Sequence, residues 1–365
     1  MIRMVSAIIP LAVFSLFPSH LFKFMSVIDS ITQPVIVQIV PEMHKGGVER
    51  GTLEIAQAVI DKGWKAVVIS NGGILTAQLK RMGAVSHELP VHSKNPLSWP
   101  STRAKLAQIL KQEGADIVHL RSRVPAWIAL PVTKKYGIAT VSTIHSKFAP
   151  SSMFKHIYNR KMLGADKVIV ISDYVKSILE THYARHTSLD EVQVIHRGVD
   201  TEIFDPKAVN QRRIVAEAER VGLPDDGQVV MLAGRPTSWK GYDILIEAVA
   251  RLENDRLCLL LLGAGDGDAK FVDRLHQLAL KTGLGGRVRV ANSSLDMPAA
   301  MMLADVVAMP SVQPEPFGRV AVEAQAMGRP VVAFANGSAI ESLLDHKTGW
   351  LAAPGDVASL ADALK

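Results

Sequence analysis

A chain of 365 residues, 48% hydrophobic and 21% charged, is long enough for two domains and has an ordinary globular composition. Its one cysteine, Cys258 in the apolar run Leu257–Leu262, excludes an intrachain disulfide framework and fits a reducing compartment. The net charge of +6 is uneven, with 24 Lys and Arg against 14 Asp and Glu in residues 1–200, and 17 against 21 in residues 201–365. A basic first half favours an anionic partner, either a membrane surface or a phosphorylated or carboxylated acceptor. Nucleic acid is disfavoured, because aromatic residues are only 5% and no nucleic-acid module is recognised.

The segment Met4 to Phe17 is apolar apart from two serines, is broken by Pro10 and follows Arg3. It falls short of the roughly 20 residues needed to span a bilayer, and no small-residue cleavage site of a signal peptide follows it. Residues 1–30 therefore read as an apolar extension, either an overlong start before Met25 or a membrane-associating anchor.

From there, short Val/Ile-rich runs alternate with helical stretches: Val35–Val40, Ala66–Ser70, Ile117–Leu120, Ala139–Ile144 and Lys167–Ile171. Continuous apolar runs between helices predict parallel strands covered on both faces, hence a doubly wound α/β sheet. The pattern restarts at Val229–Ala233, Leu257–Leu262, Val288–Ala291, Val306–Met309 and Val331–Phe334. Between the two series lies a polar stretch, about 200–227, read as the interdomain connection. The expected organisation is two Rossmann-like domains, 31–205 and 206–365, facing each other across a cleft where ligands bind. In such sheets functional residues follow the carboxyl ends of strands.

After the first strand come Gly46-Gly47 and then Glu49-Arg50, running into a predicted helix Thr52–Ile60. Paired glycines there could adopt positive φ and aim N–H groups at an anion, or form an ordinary βα turn. Ile117–Leu120 leads to Arg121-Ser-Arg123, which could grip carboxylates or phosphates of an acceptor or simply be surface charge. The next strand leads to His145, able to hydrogen-bond a sugar or shuttle a proton, though a lone histidine is often structural. Between Ala149 and Lys167 lie Lys155, His156, Arg160 and Lys161, interleaved with Met153, Phe154, Ile157 and Tyr158. Such a basic amphipathic stretch can rest on an anionic membrane or be a solvated helix.

In the second series, Gly234-Arg235 leads through Lys240-Gly241 into a predicted helix Tyr242–Leu252. An Arg and a Lys at a strand end could neutralise a diphosphate and the charge growing on a departing nucleotide. Gly263-Ala-Gly265-Asp266-Gly-Asp268 follows the next strand. A dinucleotide fingerprint is disfavoured because the following strand ends in Asn292-Ser293-Ser294 without an acid. Two carboxylates could suit Mg²⁺ or Mn²⁺, but a plain glycine turn is preferred. Finally, Glu315 and Glu323 stand eight residues apart across a predicted helix start. At helical rise that is about 12 Å, the reach from a sugar across a diphosphate to a ribose. Gly318 would let the ligand approach the backbone.

Together these segments resemble the retaining glycosyltransferase family 4, which has the GT-B fold, from about Val35 to the end of the chain. The matching pieces are Gly46-Gly47 with Glu49-Arg50, Val194 to Asp200, Arg235 with Lys240-Gly241, Gly263 to Gly265, and Glu315 with Glu323. The resemblance implies that Glu315 contacts the donor sugar hydroxyls and Glu323 the ribose. It implies that Arg235 and Lys240 bind the diphosphate, that Gly47 lies against it, and that His145 touches the transferred sugar. It also implies no metal, no cofactor beyond a nucleoside-diphosphate sugar as co-substrate, and retention at the anomeric carbon. The departing phosphate would help deprotonate the acceptor, so no protein base is expected. Two departures stand out: His196-Arg197 replaces the family's Pro-Asn before Gly198-Val199-Asp200, and the chain stops at Lys365 where relatives commonly add helices, as in a truncated product.

The function expected is hexose transfer to a cell-envelope glycan or glycolipid, a lipopolysaccharide core being one such acceptor. Arg121 and Arg123 would hold that acceptor, at the cytoplasmic face of a membrane. The alternatives are another GT-B enzyme, such as a nucleotide-sugar epimerase, or a non-catalytic sugar-nucleotide-binding protein. A pyridoxal-dependent phosphorylase would need a lysine site that has no place in this sequence.

Overall fold

The computed structural model describes residues 33–44, 46–185, 192–224 and 226–365. The expectations for residues 1–30 lie outside the described residues. The chain divides into two compact units between Ile195 and His196.

The first unit holds a seven-stranded sheet: β1 (Val35–Ile39), β2 (Lys65–Ser70), β3 (Val85–Glu88), β4 (Ile117–Leu120), β5 (Ala139–Ile144), β6 (Lys167–Val170) and β7 (Val192–Val194). The strands lie in the order β3-β2-β1-β4-β5-β6-β7, every pair parallel. The second unit holds six: β8 (Gln228–Ala233), β9 (Leu257–Leu262), β10 (Val288–Ala291), β11 (Val306–Met309), β12 (Val331–Phe334) and β13 (Gly349–Ala352). Their order is β10-β9-β8-β11-β12-β13, again all parallel. Both are doubly wound sheets of the expected kind. In each, the order reverses once, between β1 and β4 and between β8 and β11. At those places the loops leaving two adjacent strands diverge and leave room for a ligand.

Continuous apolar strands arise because both faces of each sheet are covered. In β9, Cys258, Leu260 and Leu262 join one core with Met231, Val307 and Val331. Leu257, Leu259 and Leu261 point the other way, into a core with Leu245, Leu275 and Phe334. Each such side chain, fully buried, contributes about 1.5–3 kcal/mol.

Three strands, β3, β7 and β13, have no counterpart among the predicted runs. All three are sheet edges, and Val-Ser-His-Glu, Val-Gln-Val and Gly-Trp-Leu-Ala lack the continuous apolar character that central strands need. The stretch 200–227 also differs from a bare connection. It contains the helix Gln211–Val221, capped by the Asn210 side chain on the Arg213 N–H at 3.1 Å. Ile214, Val221, Phe204 and Val209 pack into the second unit's core. Its polar composition reflects one solvated face of an amphipathic helix.

Candidate functional site

The place where the second sheet reverses gathers most of the predicted donor residues. From the end of β8 the chain runs through Gly234 and Arg235 to a 3₁₀ turn, Ser238–Lys240, and then to the helix Tyr242–Ala250. Gly241 makes that junction with φ 78°, and a Cβ there would overlap the Pro310 carbonyl. The Tyr242 hydroxyl donates to the Gly234 carbonyl at 2.8 Å, and burial pushes its pKa up. The loop is thus pinned at both ends.

From β11, Pro310 and Ser311 lead to Glu315. Lys240 Nζ donates to Glu315 Oε1 at 2.5 Å, and Ser311 Oγ donates to the same oxygen at 2.7 Å. Glu315 is 7% exposed, and its backbone is held by Ser338 N–H on its carbonyl at 3.0 Å. Lys240 also lies 4.6 Å from the centre of the Trp239 ring. Oε2 of Glu315 has no described protein partner, and a lysine ammonium has three donors. Arg235, on the same loop, is exposed; its carbonyl accepts from the Tyr242 hydroxyl at 3.2 Å, and its guanidinium enters none of the described hydrogen bonds or ion pairs. Ser311 and Tyr242 were not among the predicted site residues. The strand-end rule applied to β11 would have found Ser311.

Several expectations change here. The helix begins at Arg319, after Gly318, so Glu315 stands in the loop before it and helical rise does not measure its separation from Glu323. Glu323 is on the helix, 7% exposed, with Arg319 Nε 3.3 Å from its Oε1. Gly318 has φ 73°, as the turn into the helix requires, and a Cβ there would lie 3.0 Å from the Met309 sulfur. Gly265 likewise faces protein: a Cβ would lie 2.8 Å from the Ala291 carbonyl carbon. The neighbouring acids are engaged by backbone. Asp268 caps the helix Ala269–Lys281 through Phe271 N–H at 2.8 Å, and Asp266 accepts Ser293 N–H at 3.1 Å. A glycine turn accounts for that segment. His196, one of the residues that depart from the family pattern, lies 3.2 Å from Glu341.

In the first unit the reversal between β1 and β4 is occupied from within. Arg121 is 3% exposed, and its Nη atoms donate to Gln38 Oε1 at 3.1 Å and the Val48 carbonyl at 3.4 Å. Gln38 in turn donates to the Thr52 carbonyl at 3.0 Å. These bonds tie β1 and β4 to the first turns of the helix Gly47–Asp61. Arg121 is therefore neither surface charge nor an exposed grip for an acceptor. Gly47 is the first residue of that helix and Gly46 is extended at φ 170°, so of the two readings of this pair the one with positive φ is not adopted. The Glu49 carboxylate folds over Gly46.

Arg123 is half-buried and organises the loop that carries His145. It donates from Nε to Asn159 Oδ1 at 2.6 Å, and from Nη2 to Ser146 Oγ at 3.2 Å and the Lys147 carbonyl at 3.3 Å. Asn159 donates onward to the Phe148 carbonyl and the Tyr183 hydroxyl, both at 3.1 Å. His145 itself is half-buried at the end of β5. His119, in β4, is a residue the sequence did not single out. It lies 2.7 Å from Thr143 Oγ1, and burial, with the Arg121 charge behind it, holds its pKa well below the usual histidine value. It stays neutral.

The comparisons agree with this fold. Residues 45–203 match the family described as Glycosyltransferase Family 4, and residues 215–365 match Glycosyl transferases group 1. A glycosyltransferase structure from Rickettsia africae is similar at 31% identity and TM-score 0.83, covering 92% of this chain and 88% of that one. An Anabaena protein, HepE, solved in complex with UDP-glucose, is similar at 25% identity and TM-score 0.76, covering 90% and 88%. A D-inositol 3-phosphate glycosyltransferase of Mycobacterium tuberculosis is 32% identical over 264 residues. That alignment covers 68% of this chain and 53% of the relative, so the chain spans about half the length of the curated relatives it matches.

Proposed function

The chain belongs to the GT-B glycosyltransferases, with a family 4 domain ahead of a group 1 domain, and from that premise we propose that it transfers a hexose from a nucleoside-diphosphate sugar to an envelope glycan or glycolipid, with retention and without a metal. The observation that carries this reading is the Lys240–Glu315–Ser311 cluster where β8 and β11 diverge. Glu315 Oε1 holds Lys240 in place, and the two remaining ammonium donors can meet diphosphate oxygens. Arg235, exposed on the same loop, adds a second cation. Together they stabilise charge as it grows on the leaving phosphate, where an oriented donor contributes about 10²–10³ in kcat.

The second Glu315 oxygen is available for a sugar hydroxyl, and Glu323, held by Arg319 on the following helix, would meet the ribose. The acceptor oxygen bonds to the anomeric carbon on the face from which the phosphate leaves, and its proton passes to that phosphate. No protein base takes part. Gly46 and Gly47 would lie near the diphosphate and His145 near the transferred sugar. Gly265 and Gly318 act by letting the donor loops pack closely. Arg121 and Arg123 serve the acceptor side by holding the glycine segment and the His145 loop. The basic first half suits an anionic, lipid-linked acceptor such as a lipopolysaccharide core, reached from the cytoplasmic face of a membrane.

The test is transfer from radiolabelled UDP-, GDP- and ADP-sugars into membrane extract by the wild type and by Glu315→Gln. Label in a lipid-linked product, lost with Glu315→Gln, supports the reading. An isomerised donor formed without acceptor marks an epimerase, and indifference of melting temperature to every nucleoside diphosphate sinks the donor site.

A further inference from the structure

The helix Met153–Arg160 is turned inside out. Ser152 caps it by accepting the Lys155 N–H at 3.1 Å, so its start, and hence its facing, is set locally. The one residue it buries is polar, Asn159 at 1% exposed, and half-buried His156 stacks on Tyr183 with ring centroids 4.5 Å apart. Beside exposed Lys155 and Arg160 it presents three apolar residues to solvent: Met153 is 72% exposed, Phe154 86% and Ile157 43%. Positions 153, 154 and 157 share one helical face. A surface helix normally does the reverse. Scattered single exposed hydrophobics are ordinary, whereas a clustered apolar face is an interaction surface.

The charge around that face has one sign. From Lys147 to Lys161 the chain carries Lys147, Lys155, Arg160 and Lys161 and no acid. The patch continues onto neighbouring helices. Arg103 lies 5.8 Å from the centre of the Trp99 ring, and burial, followed by repulsion from Arg103 and Lys134, lowers the Lys161 pKa. Lys161 also lies 5.4 Å from the centre of the Trp127 ring, and Trp127 stacks on Trp99 at 5.8 Å. Long basic side chains beside bulky apolar ones, with tryptophans near by, match the layering of a bilayer surface from acyl chains to anionic headgroups.

We propose that the Met153–Arg160 face is a docking surface for an anionic lipid bilayer, with Met153, Phe154 and Ile157 entering the acyl boundary and the surrounding lysines and arginines meeting headgroup phosphates. A second copy fits less well. A two-fold contact brings the same patch to itself and sets cation against cation. Nucleic acid fits less well, since an aliphatic and thioether face offers little base stacking. The inference draws its purpose from the proposed lipid-linked acceptor, but it is measured without donor or acceptor, so either can fail alone.

The experiment is flotation of the full chain with vesicles of phosphatidylcholine alone, or of equal parts phosphatidylcholine and phosphatidylglycerol, at low and high salt. The wild type is expected to float with the anionic vesicles only, and less at high salt. Phe154→Ser should weaken this about tenfold through lost apolar burial. Lys155→Glu, a change of two charges, should weaken it roughly twenty-five-fold, at about fivefold per charge near the surface. Both positions are exposed, so unchanged melting curves are expected, and Phe154→Trp should show a blue-shifted emission on anionic vesicles. Undiminished flotation of both variants overturns the proposal, because docking would then lie elsewhere, residues 1–32 included. So does a failure to float combined with self-association or RNA retention that Phe154→Ser abolishes.

Discussion

Each unit reverses its strand order once and sets a basic side chain at the reversal, yet the two cations are used differently. Arg121, between β1 and β4, is 3% exposed and donates to Gln38 and the Val48 carbonyl. Lys240, between β8 and β11, shares Glu315 with Ser311 and has exposed Arg235 on the same loop. The fold supplies the same kind of opening twice. What separates them is the use of their donors: Arg121 spends its own on protein acceptors, whereas under the proposed function Lys240 keeps two for a ligand.

The comparison can be broken most sharply at the second reversal. Glu315→Gln or Lys240→Ala should lower kcat about 10²–10³-fold, with melting temperature little changed, measured by initial rates and thermal unfolding. If both lost stability instead of rate, Lys240 would be scaffold like Arg121. The mirror experiment is Arg121→Met, which strands Gln38 Oε1 and the Val48 carbonyl and should cost about 2–4 kcal/mol in urea unfolding. Arg121→Lys should rescue little, because an ammonium cannot reach both acceptors from one planar fork. Next comes Gly241→Ala, where positive φ and overlap with Pro310 should cost about 1–3 kcal/mol and raise KM for the donor by displacing Lys240.

The smallest effect expected is at the far side of the first sheet. Glu113 accepts from Lys65 and His87, each at 2.8 Å, and its pKa is lowered from 4.5, chiefly by the Lys65 hydrogen bond. A depressed carboxylate stabilises the fold above its unfolded pKa. That stability, on the order of 1 kcal/mol, is lost as pH falls below 4.5 and through the folded value. Glu113→Gln should flatten this acid limb of the stability curve without moving the transfer rate at neutral pH.

Nine central strands and the edge strand β10 were legible as apolar runs, the central ones because parallel strands covered on both faces need no polar residue. The edge strands β3, β7 and β13 were not, since they pair on one side only and tolerate Ser, His, Gln and Gly. Glu315, Lys240 and Arg235 were legible from the strand-end rule, and Ser311 was within its reach. Arg121 was legible as a strand-end cation but not as a buried one, because Gln38 lies 83 residues away.

The sequence by itself determined what is local and periodic: two doubly wound sheets, capped helices, and which residues leave which strand ends. It also determined the charge asymmetry, which is a count. Only the tertiary structure decided which way each charged or apolar side chain faces. Burial depends on what the chain brings from afar to that spot, such as Tyr183 under His156 or Met309 over Gly318. That is why two glutamates at a suggestive spacing became one acid clamped to Lys240 and one on a helix. It is also why an ordinary-looking helix, Met153–Arg160, is found with its apolar side outward.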